Sequence, residues 1–263
     1  MSTSQAFEKL IEILKTLRGP GGCPWDQEQT HKDINPYLLE EAHEVVESID
    51  REDFPNLKEE LGDLLVHILF HCELASEKNH FNAMQVADGA TEKLIRRHPH
   101  VFGNEKAETV NDVLVNWEKI KQKEGKEKKR DSILDGLPKA LPALVKSLRI
   151  SEKASRVGFD WPSQDGVVEK IEEELGELKS AMDKKDSLET ESELGDLLFA
   201  ICNLGRFLKI DPETALRKST ERFSHRFQWM EKAAKEKNKS LQSLTLHEWE
   251  DFWNRAKIAC ANS

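Results

Sequence analysis

The sequence is poor in the residues that punctuate β-sheet proteins. Its 263 residues include 13 glycines, 9 prolines and a single tyrosine. Glutamate, lysine and leucine, which are good helix formers, are abundant instead. A β-sandwich is disfavoured, because its strands prefer β-branched and aromatic residues and its turns need glycine and proline. The composition therefore favours a helical protein.

No stretch of the sequence is apolar for long enough to cross a membrane. The longest uncharged apolar stretch is residues 64–72, whereas a spanning helix needs about 20 residues. The N-terminus has no basic segment leading into an apolar one, so no secretion signal is expected. The cysteines are far apart: Cys23, Cys72, Cys202 and Cys260. With no C-x-x-C pair they are expected to be reduced thiols, and we predict a cytoplasmic protein without a membrane partner.

The chain also lacks the positive charge of a nucleic-acid-binding protein. It has 39 basic and 49 acidic residues, for a net charge of −10. A general nucleic-acid binder presents a basic face, so nucleic acid is not an expected partner. The surplus carboxylates have two ordinary explanations, a solvated surface or a site that binds cations.

The chain contains an internal repeat. Glu-Leu-Gly-Asp-Leu-Leu begins at Glu60 and again at Glu193, an offset of 133 residues. Glu-Glu-x-x-Glu precedes each copy by the same distance, ending at Glu44 and at Glu177. A basic pair and a Trp-x-x-x-Lys block follow in each half: Lys93/Arg97 and Arg222/Arg226, then Trp117/Lys121 and Trp253/Lys257. Four blocks recurring in the same order predict a duplicated module.

We place the first module at residues 1–125, a charged linker at 126–134 and the second module at 135–263. Residues 122–132 carry charge without apolar periodicity, which is typical of a linker or a solvated helix end. In the second module, an opening helix is expected over residues 141–156.

The two acidic blocks of each module are expected on neighbouring helices. Asn35 and Pro36 form a typical helix start, as N-cap and first helical residue. A second helix is predicted through residues 57–72, where apolar residues recur at helical spacing. The short connection at residues 50–56 makes the two helices antiparallel neighbours, so that their acidic edges can meet.

These carboxylates could simply be solvated, as most helical glutamates are. Gly62 and Gly195 argue against this, because a glycine inside a helix costs about 1 kcal/mol relative to alanine, and close backbone approach would explain its presence. Asp63 and Asp196 lead directly into the most apolar stretches, a poor place for unpaired charge. Because the arrangement also occurs twice, we favour a binding site.

Four carboxylates on facing helices would raise each other's pKa values unless a cation lay among them. Oxygen ligands suit Mg²⁺ or Mn²⁺, and zinc is less expected without a Cys/His set. Magnesium held by carboxylates usually takes its remaining ligands from a phosphate-bearing substrate. Arg and Lys could then neutralise the phosphate oxygens, and an indole could stack on a nucleotide base. No glycine-rich phosphate loop is present. The residues thus predict a Mg-dependent enzyme acting on a nucleotide polyphosphate.

The ordered motifs resemble the MazG family of nucleoside triphosphate pyrophosphohydrolases. Three further segments, residues 23–26, 96–102 and 157–161, look like those of its two-module members, and the resemblance covers nearly the whole chain. It implies an all-α fold of helical bundles that dimerise. It also implies hydrolysis of nucleoside triphosphates to a monophosphate and pyrophosphate, with ATP among the bound nucleotides and broad base specificity.

The resemblance also implies site residues. Metal ligands are expected in the second module at Glu174, Glu177, Glu193 and Asp196, and in the first at Glu41, Glu44, Glu60 and Asp63. Nucleotide contacts are expected at Lys170, Arg222, Arg226, Trp253 and Lys257, with Lys121 near the site. Catalytic residues are expected at Glu173, Glu174 and Glu193. Glu173 would orient or deprotonate the attacking water. The second module is expected to be the main catalytic one.

Alternatives remain open. A narrower enzyme acting on dUTP or phosphoribosyl-ATP is one, although a duplicated module speaks against it. A helical nucleotide-binding scaffold without turnover is another. In addition, position 59/192 is Glu59 in the first module and Ser192 in the second. If a general base is needed at this position, only the first module retains it.

Some aromatic and histidine residues invite a functional interpretation that we do not favour. His67 and His71 are four residues apart, but their counterparts are Ala200 and Leu204. We interpret them as core or supporting residues, with His67 bonding Asp63 one turn earlier. Core positions are likewise expected for three aromatic residues: Phe223, Phe227 and Trp229.

Overall fold

The computed structural model describes residues 2–110, 112–113, 116–117, 120, 123–124, 132–237 and 239–260. Within those residues the regular structure is helical, without a strand, which confirms the all-α prediction. The chain divides into two compact units, Met1–Lys126 and Glu127–Ser263. The exact limits of the predicted linker stay a prediction, because residues 125–131 lie outside the described part.

The first unit is built around an antiparallel helix pair. Helices α1 (Thr3–Arg18) and α2 (Pro24–Glu28) precede the pair. The pair itself is α3 (His31–Asp50) and α4 (Phe54–Glu77). Helices α5 (Ala83–Arg97) and α6 (Pro99–Phe102) follow. Both α1 and α5 pack on α4. The buried core joins three helices: Leu14, Ile34, Leu69, Phe70 and Leu74.

Helix α3 begins earlier than the sequence predicts. Its N-cap is Thr30, whose backbone N–H donates to the Asp33 carboxylate at 2.9 Å in a capping box. Ile34 is buried in the core and holds this first turn in place. The predicted start at Asn35 is therefore wrong, and Pro36 lies inside the helix. Two satisfied capping bonds and a buried side chain outweigh the cost of the proline.

The second unit repeats the antiparallel pair. Helix α7 (Ala143–Ser155) precedes α8 (Gln164–Lys184) and α9 (Ser187–Leu208), which pack along each other. Helix α10 (Pro212–Glu236) then packs on α11 (Leu246–Ala259), after a 3-10 turn at Leu241–Ser243. Helix α7 contacts both α9 and α10.

The core between α10 and α11 confirms one of the three aromatic predictions. Met230, Ala233 and Ala234 pack with Phe252 and Ala256, and Trp229 lies against this cluster. Phe223, in contrast, is 55% exposed, so its predicted core position is wrong. Helix α10 has 25 residues but α11 only 14, so the shorter helix cannot cover the whole of the longer one. Phe227 is partly buried and lines a pocket between the two helices.

Two further observations concern the cysteines and the membrane. All four cysteines are free, and burial raises the pKa of the Cys72 and Cys202 thiols. Among the helices in the described residues, none combines the length and apolar character that a bilayer-spanning segment requires.

Candidate metal centre

In the first unit three carboxylates converge between α3 and α4. Glu41 and Glu44 lie one turn apart on α3, and Glu60 faces them from α4. One carboxylate oxygen from each lies within 4.8 Å of the others, and all three side chains are partly buried. The two acidic edges of the helix pair therefore meet in space.

The second unit repeats this triplet. Glu174 and Glu177 lie on α8 and Glu193 on α9, again with carboxylate oxygens within 4.8 Å of one another. Glu174 is buried, Glu193 partly buried and Glu177 exposed. The structure thus brings together three of the four predicted ligands in each unit.

The remaining predicted ligands, Asp63 and Asp196, lie beside the triplets rather than within them. Each carries a side chain one methylene shorter than glutamate, one helical turn after Glu60 or Glu193. Their charges still act on the triplets. Burial first, and then neighbouring acidic groups that include these aspartates, raise the pKa of Glu41, Glu60 and Glu193.

One cation lies against the triplet of the second unit. The Lys170 Nζ atom is 2.7 Å from Glu174 Oε1 and 2.7 Å from Glu173 Oε1, all on helix α8. These hydrogen bonds raise the pKa of Lys170, so its ammonium group stays charged. Glu173 has a 56% exposed side chain and lies outside the triplet, so its catalytic role stays a prediction.

The first unit replaces this cation by a histidine from the facing helix. Tyr37 stands at the position equivalent to Lys170, and the group that faces Glu41 is the His67 imidazole, with Nε2 3.7 Å from Oε1. The expectation that His67 bonds Asp63 is wrong, because the facing helix brings Glu41 within reach. Burial lowers the pKa of His67, and the charge of Asp63 offsets this only in part.

The other histidines of this helix pair support the packing. His71 Nδ1 lies 2.8 Å from His31 Nδ1, and the two rings stack with centroids 5.1 Å apart. Tyr37 stacks on His67 at 6.1 Å. The rings thus form a layer between α3 and α4, in which a supporting role for His71 fits the geometry.

Four of the five predicted nucleotide contacts of the second unit lie on α10 and α11, whereas Lys170 lies on α8. The Arg226 guanidinium lies 5.7 Å from the centroid of the Trp253 ring, and Phe223 lies 5.2 Å from that ring. Arg222 and Lys257 are exposed on the same two helices.

The first unit has the same pairing, because the Arg97 guanidinium lies 5.8 Å from the Trp117 ring. Lys121 lies outside the described residues. The described residues show no hydrogen bond or ion pair between either basic cluster and the carboxylate triplet of its unit.

Comparison with known proteins decides the family. The family profile described as the MazG nucleotide pyrophosphohydrolase domain matches the chain twice, at residues 29–102 and 163–230. The chain belongs to this MazG family. Each matched region contains one helix pair with its carboxylate triplet. The resemblance drawn from the sequence motifs is therefore confirmed.

Individual MazG relatives match along nearly the whole chain. It is 47% identical over 251 residues to the nucleoside triphosphate pyrophosphohydrolase/pyrophosphatase MazG of Thermotoga maritima, covering 95% of each chain. It is 40% identical over 254 residues to the nucleoside triphosphate pyrophosphohydrolase of Escherichia coli K12, covering 95% of this chain and 97% of the relative. A crystal structure of a mazG-related protein from Thermotoga maritima matches 44% of this chain and 98% of its own, with 28% identity and a TM-score of 0.38.

Proposed function

We propose that this MazG protein is a Mg²⁺-dependent nucleoside triphosphate pyrophosphohydrolase. It cleaves ribo- and deoxyribonucleoside triphosphates between the α- and β-phosphates, giving a nucleoside monophosphate and pyrophosphate. The observation that carries the proposal is the convergence of Glu174, Glu177 and Glu193 at the α8–α9 pair. Similarity over nearly the whole chain to two relatives named nucleoside triphosphate pyrophosphohydrolases supports the reaction.

The donor set fits a hard divalent cation. All three donors are carboxylate oxygens, the ligand type that Mg²⁺ prefers. Opposite ligands of one Mg²⁺ lie about 4 Å apart, so oxygens within 4.8 Å of each other need only small side-chain rotations. A cation would also relieve the repulsion that helps to raise the pKa of Glu193. Mn²⁺ accepts the same donors and is a second candidate.

Residues of the chain itself would hold the metal ligands in position and accept the proton of the attacking water. A bound divalent cation supplies polarisation of the phosphoryl oxygens and a more acidic water. Lys170 holds the Glu174 carboxylate in position through its 2.7 Å contact. Hydrolysis joins the water oxygen to phosphorus, breaks one P–O bond of the α–β anhydride and releases the water proton. We propose Glu173 as the group that orients the water and accepts that proton.

Phosphate and base would be bound by the cluster on α10 and α11. Arg222, Arg226 and Lys257 supply positive charge for phosphate oxygens. Trp253 lines an apolar pocket of about 270 Å³ whose other lining residues are Phe223, Phe227, Met230, Trp249 and Glu250. A pocket of aromatic faces binds any base by stacking and has few groups to read hydrogen-bonding edges. It therefore favours broad base specificity over an enzyme restricted to dUTP.

We also propose that the protein is a homodimer. Helices α8 and α9 expose apolar side chains: Leu175, Met182, Leu194, Leu198 and Ile201. Three of these, at positions 194, 198 and 201, lie on one face of α9 at helical spacing. A second copy of the chain would remove this surface from water. Location in the cytoplasm stays a prediction.

Pyrophosphate release tests the proposed activity. The purified protein is incubated with Mg²⁺ and, separately, each ribo- and deoxyribonucleoside triphosphate. We expect turnover that Glu193→Ala abolishes and that Glu60→Ala reduces to a smaller extent, because module two is the main catalytic module. Glu191→Ala is the matched control, since Glu191 is exposed on the same helix as Glu193 and lies outside the triplet.

Two results would reject parts of this assignment. Turnover unchanged in both triplet variants would remove the carboxylates as metal ligands. Pyrophosphate released from no nucleotide would favour the alternative of a binding scaffold without turnover.

A further inference from the structure

The arginine–tryptophan pairs of the two units differ in whether a carboxylate is bound to the arginine. In the first unit Glu124 is bound to two arginines. Its Oε2 atom lies 2.6 Å from Arg97 Nη2, and its Oε1 atom lies 2.8 Å from Arg96 Nη2. The Glu124 and Arg97 side chains are only 16% and 18% exposed, so the ion pair is largely shielded from water. Arg97 is also the residue that lies over Trp117.

The second unit has no such carboxylate among its described residues. Arg226 lies over Trp253 in the same way, but its Nε atom is buried without a hydrogen-bond partner. Glu124 follows Trp117 by seven residues, and the residue that follows Trp253 by seven is Cys260. The two positions are equivalent by their spacing from the tryptophan, and Cys260 is the C-cap of α11. The repeat thus has a carboxylate in one copy and a thiol in the other.

We propose that Arg97 and Trp117 form a second phosphate-binding pocket, and that Glu124 occupies it in place of a phosphate. The ligand of this pocket is the oligophosphate group of a nucleotide, carried with its divalent cation by the Glu41–Glu44–Glu60 triplet. The inference rests on the proposed function, which makes the equivalent pocket of the second unit a phosphate site. It also supplies a physical reason why the second module is the main catalytic one.

A carboxylate is a good internal substitute for a phosphate at this position. Arginine binds both groups through the same paired N–H donors. The bonds to Arg97 and Arg96 lower the pKa of Glu124 to about 2, so the group is ionised at any physiological pH. An incoming oligophosphate must displace the Glu124 carboxylate from the two arginines. This competition weakens the binding of the oligophosphate.

Binding of inorganic triphosphate with Mg²⁺, measured by calorimetry, tests the proposal. The full-length chain carries Arg226→Ala, so that the first unit dominates the signal. We expect Glu124→Gln in this background to bind at least about tenfold more tightly, the scale of losing a charged hydrogen-bonded competitor. Further addition of Arg97→Ala should abolish the gain. Glu108→Gln is the matched control, because it removes one exposed negative charge from the same unit.

Equal affinity with and without Glu124→Gln would overturn the proposal and leave Glu124 as a structural ion pair. So would a gain of the same size in Glu108→Gln, since it would reflect net charge alone. Because this measurement needs no nucleotide and no turnover, it separates the two proposals. A chain that hydrolyses no nucleotide but gains triphosphate binding on Glu124→Gln would reject the proposed function and keep the pocket.

The reciprocal substitution covers the case in which Glu124→Gln unfolds the first unit. Cys260→Glu places a carboxylate at the equivalent position of the second unit, in an otherwise unaltered chain. We expect triphosphate to bind at least about tenfold more weakly than to Cys260→Gln, which has the same size without the charge. Equal affinity of these two variants would contradict the proposal.

Discussion

At the scale of single residues, the carboxylates of each acidic triplet repel one another. The pKa of Glu193 is raised from its ordinary value of 4.5, by burial first and then by the charges of Glu177, Glu174 and Asp196. The folded chain therefore binds more protons than the unfolded chain just above the ordinary pKa. As the pH rises through the raised pKa, the metal-free protein loses stability. A bound cation would reverse this loss.

The pH dependence of metal binding follows from the raised pKa of Glu193. Mg²⁺ competes with protons for the triplets, so the stabilisation it confers should grow as the pH rises from the ordinary carboxyl pKa of 4.5 towards neutrality. Thermal unfolding at each pH, with and without Mg²⁺, measures this stabilisation as a shift in Tm. A double variant, Glu60→Gln with Glu193→Gln, should show a smaller shift throughout. An identical Mg²⁺ shift at both ends of the range would contradict the prediction.

Spacing along one helix was enough to predict part of the site. Glu41 and Glu44 are three residues apart, which places them on one flank of α3, and the short loop after α3 brings Glu60 opposite. The contact from His67 to Glu41 could not be predicted this way, because it depends on the rotation of α4 against α3. Glu124 was missed for a similar reason, since its arginine partners lie 27 and 28 residues earlier in the chain.

At the scale of helices, two glycines need a different explanation from the one the sequence suggests. A Cβ atom built at Gly62 or Gly195 would meet no atom within 4 Å, so close backbone approach within the described chain is the wrong reason for them. Alanine at either position should raise the free energy of unfolding by about 1 kcal/mol, the usual difference in helix propensity. Denaturant unfolding measures this gain.

Gly205 is the control for that prediction. A Cβ there would lie 2.9 Å from the Ile210 carbonyl oxygen, so Gly205→Ala should destabilise the protein. If Gly195→Ala also lowered the free energy of unfolding, a second chain would be the remaining candidate for a close neighbour.

Helix ends were predicted less well than helix pairs. The apolar spacing of α3 and α4 was clear, but Asn35 and Pro36 matched the usual start signal better than Thr30 did. Local propensity favours the later start, whereas burial of Ile34 and the capping box of Thr30 and Asp33 favour the earlier one. Tertiary packing decides between the two helix starts, and it cannot be deduced from a single sequence.

At the scale of the whole molecule, duplication was the easiest feature to predict. A constant offset of 133 residues ties the two acidic blocks of one half to those of the other, and both halves match the same family profile. The proposed dimer, in contrast, rests on the exposed apolar side chains of α8 and α9, which sequence spacing alone does not separate from a buried core face.

That surface gives a direct test of the dimer. Light scattering coupled to size-exclusion chromatography should give twice the chain mass of 30.1 kDa. Leu198→Glu should shift the protein to the monomer, because it places a charge in the apolar stripe. Leu216→Glu is the control, since Leu216 is also exposed, at 53% against 45% for Leu198, but lies on α10. A monomeric parent protein, or a dimer that tolerates Leu198→Glu, would contradict the proposal.

The two modules differ in how the side chain that contacts the first glutamate of the triplet is anchored. In the second module Lys170 and Glu174 belong to one helix, so their contact moves as a rigid piece when α8 slides or tilts against α9. In the first module His67 reaches Glu41 across the seam between two helices. Any shear of α3 along α4 would therefore break the contact between His67 and Glu41 while leaving the lysine contact of the other copy intact. The position of the lysine beside Glu174 would therefore not depend on how the two helices slide, whereas that of the histidine beside Glu41 would.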